Sequence, residues 1–239
     1  FTATEEYRKR VIQLGEHPES VFNFGSPGLD NHGELELISR SQLEKEINFS
    51  LGQKNLLITF HPVTLESETA GEQFGQLLAA LDDLEDTHLI FTKPNADTDG
   101  RVLIEMIDRF VEKKSTSRIA FISMGRLRYL SAMKYVDGVI GNSSSGLIEA
   151  PSFCVGTVNI GDRQKGRAKA ASVIDCKPLK EDIKQALGIL YSTEFQQGLA
   201  SVKNPYIQKN STRNIVKTLS EIDLDHLGKK SFYNLEESE

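Results

Sequence analysis

The 239-residue sequence contains only two cysteines, Cys154 and Cys176. They form no CxxC or Cys/His pattern, which argues against a zinc site and against a disulfide-stapled secreted scaffold. The histidines show no spacing to Asp or Glu that is typical of metal ligands, so no metal is expected. Reduced thiols favour a cytoplasmic protein.

Long apolar runs and clusters of positive charge are also missing. No uncharged stretch reaches the roughly 18 to 20 residues needed to cross a bilayer, and no charged-then-apolar leader opens the chain. The formal charge of −6 comes from 28 Lys and Arg against 34 Asp and Glu, which are mixed along the chain. We therefore expect neither a membrane nor a nucleic acid as partner.

Three common catalytic signatures are absent as well. The chain has no GxSxG motif, no P-loop and no GxGxxG after a first strand. Their absence argues against serine hydrolases, P-loop NTPases and the usual dinucleotide dehydrogenases, and no cofactor is predicted.

What is present is an alternation of two hydrophobic patterns. Helical spacing recurs at Phe74–Leu81, Leu103–Phe110 and Ile183–Leu190. Short apolar runs predict buried strands at Val21–Phe24, Leu56–Phe60, His88–Thr92, Ile119–Ile122, Gly138–Ile140 and Thr157–Ile160. Strands that alternate with helices at this spacing predict an α/β fold, a Rossmann-like parallel sheet with helices on both faces.

Two breaks in this alternation predict the domain organisation. Turn residues at 25–28 and a polar stretch through 31–33 predict an interdomain hinge, so that residues 1–28 belong to another domain. At the other end, residues 203–206 stop the helical run, and a last helix follows with Ile215, Leu219 and Ile222 on one face. Because the chain begins with Phe1 rather than Met, we expect it to be a piece of a longer protein.

The first chemically unusual loop is Gly141–Glu149, which follows a predicted strand. Ligands of open parallel sheets bind beyond the carboxyl ends of the strands. Ser143, Ser144 and Ser145 offer hydroxyls and backbone N–H groups at an expected helix N-terminus, where a phosphate would fit. Glu149, about one turn further, could accept hydrogen bonds from a ribose diol. The alternative is a serine-rich turn with one N-capping Ser and a solvated Glu149.

The second unusual loop, at 161–167, follows the next predicted strand and has the sequence GDRQKGR. Its cations could neutralise a diphosphate, and Arg163 offers a planar bidentate fork. A solvated basic turn is the alternative, although two anion-competent loops on adjacent strands favour a site. His61, in Phe60-His61-Pro62, also leaves a strand at its carboxyl end, where it has either a chemical or a structural role.

These motifs resemble a known family. HPVT at 61–64, GNSSSGLIEAPS at 141–152 and NIGDRQKGR at 159–167 are similar to the C-terminal half of hydrolysing UDP-N-acetylglucosamine 2-epimerases of the bacterial sialic-acid pathway type. Residues 2–16 and the turn at 25–27 resemble the end of the N-terminal domain of that family. The resemblance implies that residues 1–28 are a remnant of that domain, 29–205 the C-terminal nucleotide-binding domain, and 206–239 the C-terminal helix and tail.

The resemblance also implies a function and a set of site residues. It implies the C-terminal half of a glycosyltransferase-B-type two-domain fold and a homo-oligomer. The expected reaction releases UDP and N-acetylmannosamine from UDP-N-acetylglucosamine. The implied roles are His61 at the reacting sugar, Ser143, Ser144, Ser145 and Arg163 at the diphosphate, Glu149 at the ribose, and Met124, Gly125 and Arg126, in the loop 123–126, at the uracil.

The first part of the family's N-terminal domain, which carries the acidic residues that act at C2, is absent. This chain alone is therefore expected to bind nucleotide and to catalyse poorly. A glycosyltransferase, a noncatalytic UDP-sugar-binding module and an epimerase for a 2,4-diacetamido sugar nucleotide remain alternatives.

Overall fold

A computed structural model of the chain describes residues 1–30, 35–63, 67–95, 98–223 and 231–235. The predicted hinge at 31–33 and Thr64 of the HPVT motif lie outside these ranges. The chain divides into two compact units, one formed by Phe1–Leu35 with Asn204–Glu239 and the other by Glu36–Lys203. In the described ranges we find no helix that has the length and apolar character to cross a membrane.

The larger unit is built on a six-stranded sheet in the order β3-β2-β1-β4-β5-β6. Every neighbouring pair of strands is parallel. The strands are β1 Lys54–Thr59, β2 Thr87–Thr92, β3 Arg118–Phe121, β4 Gly138–Gly141, β5 Gly156–Ile160 and β6 Val173–Cys176. This is the doubly wound Rossmann order, and the predicted fold class is confirmed.

The structure describes helices in both units. They are α1 Glu5–Gln13, α2 Arg40–Ile47, α3 Ser67–Asp82, α4 Thr98–Glu112, α5 Gly125–Met133, α6 Ser145–Ile148, α7 Lys180–Leu190, α8 Thr193–Gly198 and α9 Ser211–Glu221. Short 3₁₀ turns lie at Pro18–Ser20, Pro27–Leu29, Ala150–Phe153 and Leu199–Ser201.

The sheet of the larger unit is covered on both faces. Side chains alternate along a strand, so Leu56 and Ile58 of β1 belong to one apolar cluster and Leu57 to another. The first cluster includes residues of α3, α4 and α7, and the second includes residues of α2 and α5. Each fully buried leucine contributes about 2 kcal/mol. Burial on both faces explains why β1 is nearly continuously apolar rather than alternating.

Several predicted elements need correction. The strand expected at Val21–Phe24 is wrong, because only Asn23 pairs there, in an isolated parallel bridge to Thr2. The rings of Phe22 and Phe24 instead lie against Phe1, with centroids 5.7 and 5.8 Å away. The strand β6 and the helices α2 and α5 had no counterpart among the predicted elements.

The smaller unit joins the two ends of the chain. The carboxylate of Asp30 accepts hydrogen bonds from the backbone N–H groups of Ser211, at 2.7 Å, and of Thr212, both at the start of α9. The hydroxyls of Tyr7 and Tyr206 lie 2.9 Å apart. Residues 1–28 and 206–239 were predicted as separate segments. In the structure both belong to the smaller unit. Leu219 of α9 is mostly exposed, so its predicted apolar face is only partly buried.

Gly141, the last residue of β4, allows an unusually close approach to β1. Its φ is +135°, and a Cβ atom added there would lie 1.9 Å from the carbonyl oxygen of Thr59. A side chain is therefore excluded on two grounds, namely the backbone conformation and the space. The close approach brings the chain that leaves β4 next to the chain that leaves β1.

We predict that Gly141→Ala lowers the free energy of unfolding by at least about 2 to 4 kcal/mol, because the methyl group must displace the backbone of β1. The matched control is Gly188→Ala in α7, where a Cβ meets no atom within 4 Å. It should stabilise the protein by about 0.5 to 1 kcal/mol. Urea denaturation measures both values, and a Gly141→Ala variant as stable as wild type would contradict the argument.

Candidate functional site

The candidate site lies at the carboxyl ends of β1 and β4. These strands are hydrogen-bonded neighbours, and the sheet order reverses between them. A reversal of this kind opens a crevice in which doubly wound proteins bind their ligands. His61 follows β1, the serine loop follows β4, and Arg163 follows β5, the next strand in the sheet.

A cavity of about 330 Å³ opens at this edge of the sheet. Five of the residues predicted for the site line it, namely Met124, Gly125, Arg126, Ser143 and Ser145. The other lining residues are Thr59, Thr92, Ile122, Ser123 and Tyr129. The cavity thus joins the segment predicted to hold the uracil to the serines predicted to hold the diphosphate.

The serine loop forms a tighter structure than the sequence suggested. Ser143 Oγ accepts a hydrogen bond from the backbone N–H of Ser145 at 3.4 Å, and Ser144 is the N-terminal cap of α6. That helix has four residues, so its dipole contributes less than the expected full helix would. Within the described residues the Ser144 hydroxyl makes no hydrogen bond, which leaves it able to bind a ligand.

The predicted uracil segment also differs from expectation. Only Ser123 lies in a loop, whereas Met124 caps α5, and Gly125 and Arg126 are its first residues. Ser123 Oγ accepts a hydrogen bond from the N–H of Gly125 at 3.2 Å, and Gly125 has a φ of +67°. Ile122, which precedes this turn, is 84% exposed where it lines the cavity.

Tyr129 was not predicted and lies at the centre of the polar contacts. One helical turn after Gly125, it donates a hydrogen bond from its hydroxyl to Ser145 Oγ at 2.9 Å. Burial raises the pKa of the Tyr129 phenol, so it stays protonated and a donor at neutral pH. The hydroxyl of Tyr129 therefore orients the hydroxyl of Ser145.

Glu149 does not lie one turn inside a helix as expected, because it is the C-terminal cap of the short α6. Its Oε2 atom is buried without a hydrogen-bond partner among the described residues. Burial raises the pKa of the Glu149 carboxyl, while hydrogen bonding to Ser145 and the charge of Arg126 act in the opposite direction. An unpaired buried carboxylate oxygen is an acceptor that still lacks its donor.

Arg163 reaches towards the serine loop from β5. Its Nη1 donates to the carbonyl oxygen of Asn142 at 3.0 Å, and Gln164 Nε2 donates to the same oxygen at 2.7 Å. Burial and the nearby charge of Arg167 lower the pKa of Arg163. The structure thus places an arginine beside the residue that precedes Ser143. Arg163 itself lines a second cavity of about 360 Å³, together with Lys177.

His61 is half-buried directly after β1, and its backbone is held by Asn142. The N–H of His61 donates to Asn142 Oδ1, and Asn142 Nδ2 donates to the carbonyl oxygen of His61, both at 2.8 Å. The structure therefore brings His61, the serine loop and Arg163 to one edge of the sheet. Ser144, Glu149, His61 and Arg163 do not line the 330 Å³ cavity itself. In the described part of the chain, no three His, Cys, Asp or Glu residues gather as for a metal ion.

Comparison with known proteins identifies the family. The family model described as UDP-N-acetylglucosamine 2-epimerase matches residues 1–220. The chain belongs to this family. The resemblance in the sequence motifs is thereby confirmed.

Two curated relatives cover nearly the whole chain. It is 41% identical over 239 residues to the polysialic acid biosynthesis protein P7 of Escherichia coli, covering 99% of this chain and 60% of that protein. It is 39% identical to the GDP/UDP-N,N'-diacetylbacillosamine 2-epimerase (hydrolyzing) of Campylobacter jejuni, covering 98% and 61%. The chain spans about three fifths of the length of these relatives.

Solved epimerase structures share the fold. The UDP-GlcNAc 2-epimerase of Methanocaldococcus jannaschii in complex with UDP-GlcNAc and UDP has a TM-score of 0.72 at 17% identity, covering 92% of this chain and 60% of that one. The S. aureus MnaA–UDP co-structure has a TM-score of 0.71 at 16% identity, covering 98% and 61%. The fold is that of part of a glycosyltransferase-B-like epimerase.

The structure also shows residues lining the candidate cavity that sequence reasoning missed. Thr59 and Thr92 are the last residues of β1 and β2, and their hydroxyl oxygens lie 2.5 Å apart at the cavity wall. The rule that sites follow strand ends could have found both. Tyr129 needed the helix α5, which the sequence pattern did not indicate.

We predict a pH-dependent effect of Glu149→Gln on stability. Because the pKa of Glu149 is raised in the folded state, the cost of ionising it is absent below the ordinary glutamate value of about 4.3. That cost grows as the pH rises from the ordinary value to the raised pKa, and it persists in full above the raised pKa. Relative to wild type, Glu149→Gln should therefore gain stability between about pH 4 and pH 8. Denaturant titrations at about pH 4 and about pH 8 give the difference in unfolding free energy between Glu149→Gln and wild type. If that difference is the same at the two pH values, the burial argument is contradicted.

Proposed function

We propose that this chain is the UDP-binding part of a hydrolysing UDP-N-acetylglucosamine 2-epimerase, which releases UDP and N-acetylmannosamine for sialic acid biosynthesis. The observation that carries the proposal is the meeting of Arg163 with the serine loop at the carboxyl end of β4. The relation to the P7 protein of polysialic acid biosynthesis supports the biosynthetic role.

The diphosphate would bind between the serine loop and Arg163. Arg163 has no carboxylate partner among the described residues, so its charge is available to an anion. The unused hydroxyl of Ser144 offers a donor beside it, and Ser143 and Ser145 complete the turn. Charge-assisted hydrogen bonds from a guanidinium to phosphate oxygens are among the stronger polar contacts in proteins.

The nucleoside would extend from that point across the 330 Å³ cavity. The free acceptor of Glu149 suits the ribose diol, because two hydroxyl donors would satisfy a buried carboxylate. Met124, Gly125 and Arg126 at the far wall would contact the uracil, and exposed Ile122 would pack against it. In this arrangement each unsatisfied group of the site meets a group of UDP that can pair with it.

The reaction would proceed by elimination and hydration. Removal of the C2 proton and cleavage of the C1–O bond release UDP and leave a 2-acetamidoglucal, with the bonding electron pair on the diphosphate. Water then adds across the double bond from the face that gives the manno configuration. Arg163 and Ser144 would stabilise the negative charge that develops on the leaving diphosphate, and donors placed there act mainly on the transition state.

The remaining roles belong to residues in this chain and outside it. His61, beside the serine loop, would act at the reacting sugar as an acid or base, or orient the phosphate. We propose that the carboxylates acting at C2 belong to an N-terminal domain outside this chain, so that the chain alone is inactive, and that the full protein is a homo-oligomer. The free thiols of Cys154 and Cys176 fit the cytoplasm as its compartment.

We predict that Arg163→Ala or Ser144→Ala lowers the turnover number of the full-length protein by ~10²–10³, because each change removes a donor to the leaving group. The matched control is Lys165→Ala in the same loop, where Lys165 is exposed and pairs with Asp162 at 3.5 Å. It should change turnover less than about twofold, as surface ion pairs contribute little. A change under about threefold for both site variants would contradict the assignment.

The decisive assay incubates the full-length protein with UDP-GlcNAc and no acceptor. We expect free UDP and N-acetylmannosamine, with 2-acetamidoglucal as an intermediate. Turnover that requires an added sugar acceptor would instead identify a glycosyltransferase. UDP binding in calorimetry without any turnover would identify a noncatalytic UDP-sugar-binding module.

A second candidate substrate is a 2,4-diacetamido sugar nucleotide. Relatives at 39% and 34% identity, from Campylobacter jejuni and Legionella pneumophila, are named as hydrolysing diacetylbacillosamine 2-epimerases. The same assay with UDP-N,N'-diacetylbacillosamine compares the two substrates directly. A higher kcat/KM for the diacetamido sugar would assign that substrate instead.

A further inference from the structure

Asn142 forms hydrogen bonds with two separate segments of the larger unit, the end of β1 and the loop after β5. It is 1% exposed, and its side-chain amide makes two 2.8 Å hydrogen bonds to the backbone of His61, one to the N–H and one to the C=O. Its own carbonyl oxygen accepts from Arg163 and Gln164. Its N–H donates to the carbonyl oxygen of Thr59 at 3.2 Å. The function proposed above gives this residue no role.

The side chain and the main chain of Asn142 act on different groups. Among the described residues, the side chain bonds only to the His61 backbone, across 81 residues of sequence. The main-chain oxygen accepts hydrogen bonds from Arg163 and Gln164. A substitution of the side chain therefore releases His61 while it leaves the Arg163 contact in place.

We propose that Asn142 is a positioning residue that sets the place of the His61 imidazole relative to the diphosphate-binding residues. The inference rests on the proposed function, in which His61 acts at the sugar. A primary amide can donate to one backbone group through its NH₂ and accept from another through its oxygen at the same time. This amide clamp, the pair of hydrogen bonds from the Asn142 side chain, fixes the backbone of His61, and Pro62 further restricts the backbone conformation of His61, the residue before it.

A matched control exists at the amino ends of the strands, opposite the candidate site. Asn55, near the amino end of β1, accepts from the N–H of Gly52 at 2.8 Å and donates to the Gly52 carbonyl oxygen at 3.1 Å. It is 3% exposed, so it is a buried amide clamp of the same kind on another turn. Asn55→Ala removes equivalent hydrogen bonds far from the site residues at the carboxyl end of β1.

The test compares Asn142→Ala with Asn55→Ala in the full-length protein. Asn142→Ala should lower kcat by roughly 10- to 10²-fold, since a misplacement of about 1 Å has effects of this size. Its dissociation constant for UDP should change less than about threefold, because Arg163 stays bound to the main chain. Asn55→Ala should lower the melting temperature comparably and leave kcat within about twofold of wild type.

A double-mutant cycle with His61→Ala separates positioning from a general structural effect. If Asn142 acts through the imidazole, adding Asn142→Ala to His61→Ala should lower kcat less than about threefold further. Losses that multiply, or an equal fall in kcat for Asn55→Ala, would overturn the inference. A wild-type protein that turns over no nucleotide sugar would contradict the proposed function instead.

Hydrogen exchange gives a readout that does not depend on turnover. In Asn142→Ala the amide proton of His61 should exchange at least about tenfold faster than in wild type, because its acceptor is gone. The amide of Gly52 should change in this way only in Asn55→Ala. Unchanged exchange at His61 in Asn142→Ala would overturn the inference even for an active enzyme.

Discussion

The close approach of β4 to β1 at Gly141 is the constraint on which the candidate site depends. Because Gly141 has no side chain, its backbone lies against the Thr59 carbonyl group, and Asn142 can donate to that group. The side chain of Asn142 then bonds to the backbone of His61, and its carbonyl oxygen accepts a hydrogen bond from Arg163. One backbone position thus brings the chains leaving β1, β4 and β5 together at the point where the sheet order reverses.

Two kinds of polar group at this edge indicate what the candidate site can bind. Arg163 and Arg167 have no carboxylate partner among the described residues, while Glu149 has a buried oxygen without a donor. A ligand that suits these groups carries negative charge at one end and hydroxyl donors in another part. A nucleoside diphosphate has both, and a structural turn has no need of either.

The sequence predicted the elements whose signal is local. The strands β1, β2 and β5 were found because each is a buried apolar run, and α3, α4 and α7 because their apolar residues recur at helical spacing. The edge strand β6 has only four residues and is mostly not buried, so it has no such run. In α5 the buried face includes Ser131, whose hydroxyl accepts a hydrogen bond from the N–H of Ile38. Because this polar residue interrupts the apolar stripe, the helical spacing of the apolar residues is not recognisable in the sequence.

The residue types of the candidate site could be read from the sequence, and their contacts could not. Three serines and an arginine after neighbouring strands already indicated an anion site, because parallel strands end at one edge. The clamp between Asn142 and His61 joins residues 81 apart, and no local pattern indicates which amide meets which turn. The same holds for Tyr129, whose contact with Ser145 needs α5 packed beside the serine loop.

The most direct test of the account is a crystal structure of this chain with UDP. The account predicts diphosphate oxygens about 2.7 to 3.2 Å from Ser144 Oγ and from the guanidinium of Arg163, with the ribose hydroxyls on Glu149. A diphosphate seated elsewhere, for example on Lys165 and Lys169 in the neighbouring cavity beyond β5 and β6, would contradict it. So would the absence of bound UDP at saturating concentration.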